Sequence, residues 1–364
     1  MDFEQIDTPA MVVDLDIMER NLQRVSQYAA AHTLRLRPHT KTHKSVALAR
    51  RQLELGAAGL TVAKVSEAEV MLGAAPSDLL VAFPVIGRAK LERLIAVARQ
   101  TRVTVALDSV FAARQLSDAA RAGQVTFGVL AEMDAGLGRV GVSPGEPLLQ
   151  LAQCIARLPH LEFEGITFYP GHIKDLDEPG RHALAQLGEL LASVIADFQK
   201  AGIEVRIVSG GSTPTLFHSH ELEGLTEIRP GTYVFNDLNT VRSGGCALED
   251  CAASILATVV STAREGQVII DGGSKTFSSD RPVNSPDVTF GQLMEAPGAR
   301  FHKMNEEHGF IDVTRAGREF SVGDRVRVIP NHVCVAMNLH ERVYGVRGNR
   351  VEEVWTVDGR GKLQ

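Results

Sequence analysis

Eight short apolar runs, separated by segments of helical period, constrain what residues 33 to 230 can fold into. The runs are Thr33 to Arg37, Ala58 to Ala63, Leu79 to Phe83, Val103 to Leu107, Val125 to Leu130, Phe163 to Phe168, Val205 to Val208 and Leu225 to Ile228. Each has strand length. Between them, segments such as Lys90 to Gln100 and Arg181 to Lys200 place apolar residues three or four apart, the spacing of one helix face. Strands that alternate with helices pair in parallel, and eight of them close on themselves, so the expected fold is α/β: a TIM-like (β/α)8 barrel. One strand fewer would leave an open α/β sheet. A further helix precedes the first strand, with a capping-box-like start at Asp16 and Glu19 and a face of Met18, Leu22, Val25 and Ala29.

From Cys246 onward the helical pattern fades. Ser254 to Val260, Val268 to Asp271, Phe310 to Val313, Arg325 to Ile329 and Val351 to Trp355 read as strands. The expected domains are a barrel over 1–245 and a mostly β domain over 246–364, which about the first 12 residues can join. Ser274 to Arg300, rich in Gly, Pro, Ser and Asp, is expected to be a long loop.

Composition narrows the function. The 364 residues carry a net charge of −6 without long basic runs, which argues against nucleic acid or an anionic membrane surface as partner. No stretch approaches the roughly 20 apolar residues that span a bilayer. The start MDFEQIDTPA is acidic and lacks the apolar core of a signal peptide. The four cysteines form no disulfide framework, so reduced thiols and a cytoplasmic location are expected.

Barrels of this type do their chemistry at the C-terminal ends of the strands. The first run is followed by Arg37-Pro38-His39-Thr40-Lys41-Thr42-His43-Lys44 and the fifth by Asp134-Ala135-Gly136-Leu137-Gly138-Arg139. The sixth ends in Tyr169-Pro170-Gly171-His172, the seventh in Ser209-Gly210-Gly211-Ser212-Thr213, and the eighth in Arg229-Pro230-Gly231-Thr232-Tyr233. Gly210 and Gly211 let backbone approach a phosphate, the hydroxyls of Ser212 and Thr213 can donate to it, and a following helix would point its N-terminus at the anion. A plain strand-to-loop turn explains the same glycines, but the loops after strands seven and eight are the usual phosphate site of the architecture. Lys41 sits among Arg37, His39, His43 and Lys44. Cationic neighbours and partial burial would lower its pKa and free an amine for a Schiff base, whereas an isolated lysine is more often solvated. In Ile329-Pro330-Asn331-His332-Val333-Cys334, positions i and i+2 of a strand share a face, so His332 and Cys334 could hold one metal, with zinc suited to the N,S pair. An ordinary buried histidine beside a buried cysteine is the alternative.

Together, the Pro38-His39-Thr40-Lys41-Thr42-His43-Lys44 run, the Gly210-Gly211-Ser212-Thr213-Pro214-Thr215 run, Asn305-Glu306-Glu307-His308-Gly309 and Pro330-Asn331-His332-Val333-Cys334 resemble the D-threonine aldolase and D-serine dehydratase family, in that family's order and across nearly the whole chain. The resemblance implies an alanine-racemase-like fold carrying pyridoxal 5'-phosphate, in a homodimer whose β domain meets the partner's barrel. It implies Lys41 as the Schiff-base lysine, Arg139 and Tyr169 beside the cofactor ring, and Gly211, Ser212, Thr213, Gly231 and Tyr233 in the phosphate cradle. It also implies His332 and Cys334 as ligands of a divalent metal (zinc, or manganese, magnesium or cobalt). The Tyr169-Pro170-Gly171 turn is similar to the aldolases, whereas a cysteine as second metal ligand is similar to the dehydratases. The aldolases' catalytic histidine is out of register here, and His172 is the nearest residue to it. The implied activity is metal-assisted lyase chemistry on D-β-hydroxy amino acids, first as retro-aldol cleavage of D-threonine-like substrates to glycine and an aldehyde, with Lys41, His172 and Tyr169 catalytic. The alternative is dehydration of D-serine or 3-hydroxy-D-aspartate to an oxo acid and ammonia. A racemase, for which Tyr344 is the only tyrosine of the β domain, a non-catalytic pyridoxal-phosphate binder and a sugar-phosphate barrel enzyme complete the alternatives.

Overall fold

The structure is a computed structural model that describes residues 1–283 and 285–364. The chain folds as two compact units. One comprises Met1–Gln23, Thr42–Ser45 and Thr232–Gly361, the other Arg24–Lys41, Val46–Gly231 and Lys362–Gln364.

The second of these is the barrel. After an N-terminal strand β1 (Ala10–Asp14), the barrel strands are β2 (Arg35–Leu36), β3 (Leu60–Val62), β4 (Asp78–Val81), β5 (Arg102–Leu107), β6 (Phe127–Met133), β7 (Leu161–Phe168), β8 (Ile207–Gly210) and β9 (Glu227–Ile228). Each of the eight expected runs overlaps one of them, with the bounds shifted by up to three residues. All pair in parallel in the order β2-β9-β8-β7-β6-β5-β4-β3. A parallel bridge between His39 and Thr61 closes the ring, with the Thr61 amide donating to the Pro38 carbonyl at 2.8 Å. The connecting helices follow their apolar period. Glu178–Lys200 is capped by Asp177, whose carboxylate accepts from the Gly180 amide at 2.9 Å, and it buries Leu184, Leu187, Leu191, Val194 and Phe198 on one face. Arg88–Ala98 does the same with Leu91, Leu94, Ile95 and Val97.

Register aligns a polar row across four barrel strands. Glu132 is opposite Thr167, Thr167 opposite Ser209, and Ser209 opposite Glu227. Glu227 and Arg37 form an ion pair at 2.9 Å with side chains 0% and 1% exposed. Removing one partner of such a buried pair costs about 3–5 kcal/mol, because the other charge is left uncompensated.

The other unit is built on a nine-stranded sheet. Its strands are β1, β10 (Ala253–Arg264), β11 (Gln267–Ile270), β12 (Gly291–Leu293), β13 (Arg300–Met304), β14 (Gly309–Asp312), β15 (Arg325–Pro330), β16 (Arg342–Arg347) and β17 (Arg350–Thr356). β1 runs antiparallel to β10 and parallel to β16. The stretch expected as one loop from Ser274 to Arg300 instead holds the short helix Ser274–Phe277 and strand β12; Asn284, within it, lies outside the described residues. The Asn305 to Gly309 motif is the turn between β13 and β14, where the Asn305 amide donates to the His308 carbonyl at 2.9 Å.

The first helix spans Leu15–Ala31 and buries Met18, Leu22, Val25 and Ala29 as its period requires. Its cap differs from the expected one. Asp14 accepts from the Ile17 amide at 3.0 Å, while Asp16 and Glu19 pair with Arg347. A carboxylate at the residue before the helix reaches the orphan N–H groups, whereas one inside the first turn points away. No helix among the described residues is long and apolar enough to cross a membrane.

Candidate active site

The barrel's strand ends carry most of the residues expected to bind the cofactor. β2 is hydrogen-bonded to β9 and β9 to β8, so the loops holding Lys41, Gly231 and Gly211 leave three adjacent strands at the same end. Lys41 itself is exposed, against the expected partial burial. Arg37 is buried and already paired with Glu227 and Asp78, so its charge is compensated inside the barrel. The intended cationic neighbourhood of Lys41 is therefore thinner than the sequence suggests.

The turn after β8 has the form of an anion cradle. Gly211 adopts φ +98°, a left-handed conformation that suits glycine. Ser212 is buried, and its hydroxyl lies 3.0 Å from that of Thr215. Among the described residues, the amides of Ser212, Thr213 and Gly231 donate to no backbone carbonyl. Loop N–H groups not used by the backbone are suited to hold a phosphate. The helix expected to follow is only the short 3-10 turn Leu216–Glu221, so these loop amides and hydroxyls, rather than a helix dipole, would hold the anion.

Across the sheet, the loops after β6 and β7 meet. The Arg139 guanidinium carbon lies 5.0 Å from the centre of the Tyr169 ring. His172 packs against Gly136, where an added Cβ would sit 3.1 Å from the imidazole, and its Nδ1 is buried without a hydrogen-bond partner in the described structure. Asp134, which accepts from the amides of Gly136 at 3.0 Å and Gly138 at 3.1 Å, adds a nearby negative charge. The Gly138 amide bond holds the Asp134 carboxyl below its usual range.

Two further side chains at this end were not among the expected site residues. Glu132, at the end of β6, is buried with its Oε2 unpartnered, and burial raises its carboxyl above the usual range against the charge of Arg229. Arg229, beyond β9, donates to Ser209 Oγ at 2.6 Å and to the Phe168 carbonyl at 3.1 Å. The strand-end rule points at both positions; their burial and hydrogen-bond partners come only from the tertiary structure.

The expected metal pair belongs to the other unit. It does not lie on a strand. β15 ends at Pro330, His332 immediately precedes the helix Val333–Leu339, and Cys334 lies in that helix's first turn. Proline has no N–H to continue the ladder, and the Asn331 side chain is held by distant segments, its Oδ1 accepting from Arg242 Nη1 at 3.1 Å and its Nδ2 donating to the Thr289 carbonyl at 2.5 Å. The helix start still brings the imidazole within hydrogen-bonding reach of the Cys334 sulfur. Asp237 accepts from His332 Nδ1 at 2.9 Å and from the Val333 amide at 3.0 Å. Cys334 Sγ lies 3.3 Å from Thr42 Oγ1 and 3.8 Å from Thr232 Oγ1. Burial alone would push the His332 imidazole down. The charge of Cys334 and the hydrogen bonds of Asp237 and Cys334 outweigh it and push it up to about 11. With Nδ1 held by a carboxylate, Nε2 is the atom available to a metal, the usual carboxylate–histidine arrangement of metal sites. Among the described residues no three His, Cys, Asp or Glu side chains gather as a metal cluster. Asp237 was missed because its visible local role is another: its Oδ1 caps the helix Leu238–Arg242 through the Thr240 amide at 2.8 Å. Tyr233 is buried in this unit as well.

A closed (β/α)8 barrel with an anion cradle beyond β8, together with a mostly β second unit, defines the alanine-racemase-like class of enzymes. Residues 13–238 match the model of the alanine racemase N-terminal domain, and residues 252–346 that of a putative serine dehydratase domain. The chain is 33% identical to a D-threonine aldolase of Arthrobacter sp over 98% of its own length and 93% of the relative's. It is 36% identical to the D-threo-3-hydroxyaspartate dehydratase of a Delftia species, over 90% and 91% of the two chains. The crystal structure of D-threonine aldolase from Filomicrobium marinum superposes with TM-score 0.94 at 33% identity, covering 100% of this chain and 98% of that one. A cysteine-to-alanine variant of D-threo-3-hydroxyaspartate dehydratase, described as in the metal-free form, superposes with TM-score 0.88 at 32% identity, covering 98% of each chain. The chain belongs to the D-threonine aldolase and D-serine dehydratase family of lyases, and membership of the alanine-racemase-like class implies pyridoxal phosphate as cofactor.

Proposed function

We propose that the protein cleaves D-β-hydroxy amino acids of the D-threonine type to glycine and an aldehyde. The observation that carries this reading is the buried Nδ1 of His172, which has no hydrogen-bond partner among the described residues. A retro-aldol step needs a base for the β-hydroxyl proton, and a buried ring nitrogen with no other partner is suited to take it. When bound, pyridoxal phosphate supplies an electron sink for charge at the substrate Cα, and a divalent metal supplies a Lewis acid for the β-hydroxyl. Lys41 holds the cofactor covalently through its amine. Gly211, Ser212, Thr213, Gly231 and Tyr233 hold its phosphate, and Arg139 and Tyr169 flank its ring. His332 and Cys334 hold the metal, zinc fitting the N,S donor pair best, with Asp237 fixing the imidazole. A homodimer and a cytoplasmic location belong to the same reading, and the four free cysteines support the location.

One observation favours dehydration instead. The metal pair includes a cysteine, as the metal-free cysteine variant of the related dehydratase suggests for that enzyme. In that reaction Lys41 would take the Cα proton and the β-hydroxyl would leave, giving an oxo acid and ammonia. Incubation of the holoenzyme with D-threonine, D-serine and 3-hydroxy-D-aspartate separates the two. Glycine and an aldehyde in equal amounts are expected from D-threonine. Ammonia and an oxo acid without glycine would establish the dehydratase.

The metal assignment predicts that chelation abolishes turnover while the cofactor's visible absorbance persists, since Lys41 and not His332 carries the cofactor. His332→Ala should behave as the chelated enzyme does, with a loss on the order of a hundredfold or more. Full activity of His332→Ala after chelation would refute the metal role.

A further inference from the structure

Arg229 is held from behind by a chain of buried groups that runs through the barrel. Its Nη1 donates to Ser209 Oγ at 2.6 Å and its Nη2 to the Phe168 carbonyl at 3.1 Å. Ser209 donates its hydroxyl hydrogen to Glu227 Oε1 at 2.6 Å. The other Glu227 oxygen accepts from Arg37 Nε at 2.9 Å, and Arg37 Nη1 lies 2.8 Å from Asp78 Oδ1. Ser209 and Glu227 are 0% exposed and Arg37 1%, whereas Arg229 is only partly buried.

The direction of each bond is determined. A serine hydroxyl has one hydrogen. The Glu227 carboxylate, neutralised by Arg37, can only accept, so it takes that hydrogen and leaves a Ser209 lone pair facing Arg229. The guanidinium is planar, and two fixed acceptors on Nη1 and Nη2 determine that plane. Its Nε–H remains without a partner among the described residues, on a side chain that solvent still reaches next to the Pro230-Gly231 turn. Among the described residues no carboxylate hydrogen-bonds the Arg229 guanidinium. This arrangement orients a cation toward a ligand rather than neutralising it in the core.

We propose that Ser209, backed by Glu227, is a positioning residue that fixes the Arg229 guanidinium at the cofactor end of the barrel and thereby sets the charge environment of the bound cofactor ring. This rests on the reading of that end as the pyridoxal phosphate site. Ser209 touches neither cofactor nor substrate in this scheme and acts only through Arg229.

The test compares holoenzymes of wild type, Ser209→Ala, Ser209→Thr and Glu227→Gln, recording the visible absorbance band of the bound cofactor against pH, with kcat and KM. Ser209→Ala and Glu227→Gln should each move the pH midpoint of the band by about one unit and lower kcat roughly tenfold to a hundredfold with KM changed less than about threefold, the scale of losing one hydrogen bond to a charged group. Ser209→Thr, which keeps the hydroxyl, should restore the wild-type midpoint. A Ser209→Ala enzyme with midpoint and kcat unchanged from a wild type that shows the band would overturn the proposal and leave the cofactor site intact. If Ser209→Ala does not fold, Ser209→Cys carries the same comparison, since a thiol is nearly isosteric and a weaker partner. A wild-type protein that never acquires the band would overturn the cofactor site and this proposal together.

Discussion

Lys41→Ala is expected to abolish the visible absorbance of the reconstituted enzyme and to reduce lyase turnover at least about a thousandfold, or about 4 kcal/mol of barrier at 1.36 kcal/mol per tenfold. The loss follows from chemistry rather than from folding. The Lys41 side chain is exposed, and among the described residues the one hydrogen bond of Lys41 is that of its backbone amide to His39 Nδ1 at 3.4 Å. A substitution at such a position changes stability by no more than about 0.5 kcal/mol. A thermal unfolding curve of the apo variant should therefore overlay that of wild type, while the amine that holds the cofactor is gone. An absorbance scan and a turnover assay with D-threonine check both halves. A colourless variant with wild-type turnover would remove Lys41 from the mechanism, and a colourless, active wild type would remove the cofactor.

The second large effect is stereochemical. D-threonine should be turned over on the order of a thousandfold faster than L-threonine. A carbanion forms at Cα only when the breaking bond stands perpendicular to the cofactor ring, where it overlaps the π system. With that bond and the carboxylate both placed, the β-hydroxyl of one enantiomer would reach a metal held by His332 and Cys334 and that of its mirror image would not. A lost Lewis-acid contact to the hydroxyl costs several kcal/mol of transition-state stabilisation, which corresponds to that ratio. The preference for the D-form comes from the family, whose related members act on D-threonine, D-serine and 3-hydroxyaspartate in D-forms by their names. Initial rates on the separate enantiomers measure it. Equal rates on D- and L-threonine would place a racemase or a non-specific lyase ahead of the present reading. Tyr344, the tyrosine a racemase would need from the β domain, packs on the cluster of Ile6, Ala10, Val12, Leu256 and Val346.

The barrel was legible in the sequence because each of its signals is local. Strand-length apolar runs, helical period and the exposed ends that follow them are properties of neighbouring residues, and they led to all eight barrel strands and to the loops of Lys41, Arg139, Tyr169, Gly211 and Gly231. What escaped was decided by partners far along the chain. β1 and β16 are next to each other, 332 residues apart by their paired Met11 and Val343, and β16 was not recognisable because Gly345 interrupts its run. That glycine is there because Leu15 and Trp355 close over it: an added Cβ would meet Leu15 at 2.8 Å and Trp355 at 3.0 Å. The metal pair was recognisable by residue type and spacing, but its backbone was not, since Pro330 ends the strand and Asp237, 95 residues away, holds the turn. Residue types, periodicity and strand ends are thus determined by the sequence alone, because they depend on bonds and packing within a few residues. The inward row of Glu132, Thr167, Ser209 and Glu227, the exposure of Lys41 and the carboxylate behind His332 were decided only by the tertiary structure, because register and burial are set when strands and loops distant in sequence come into contact.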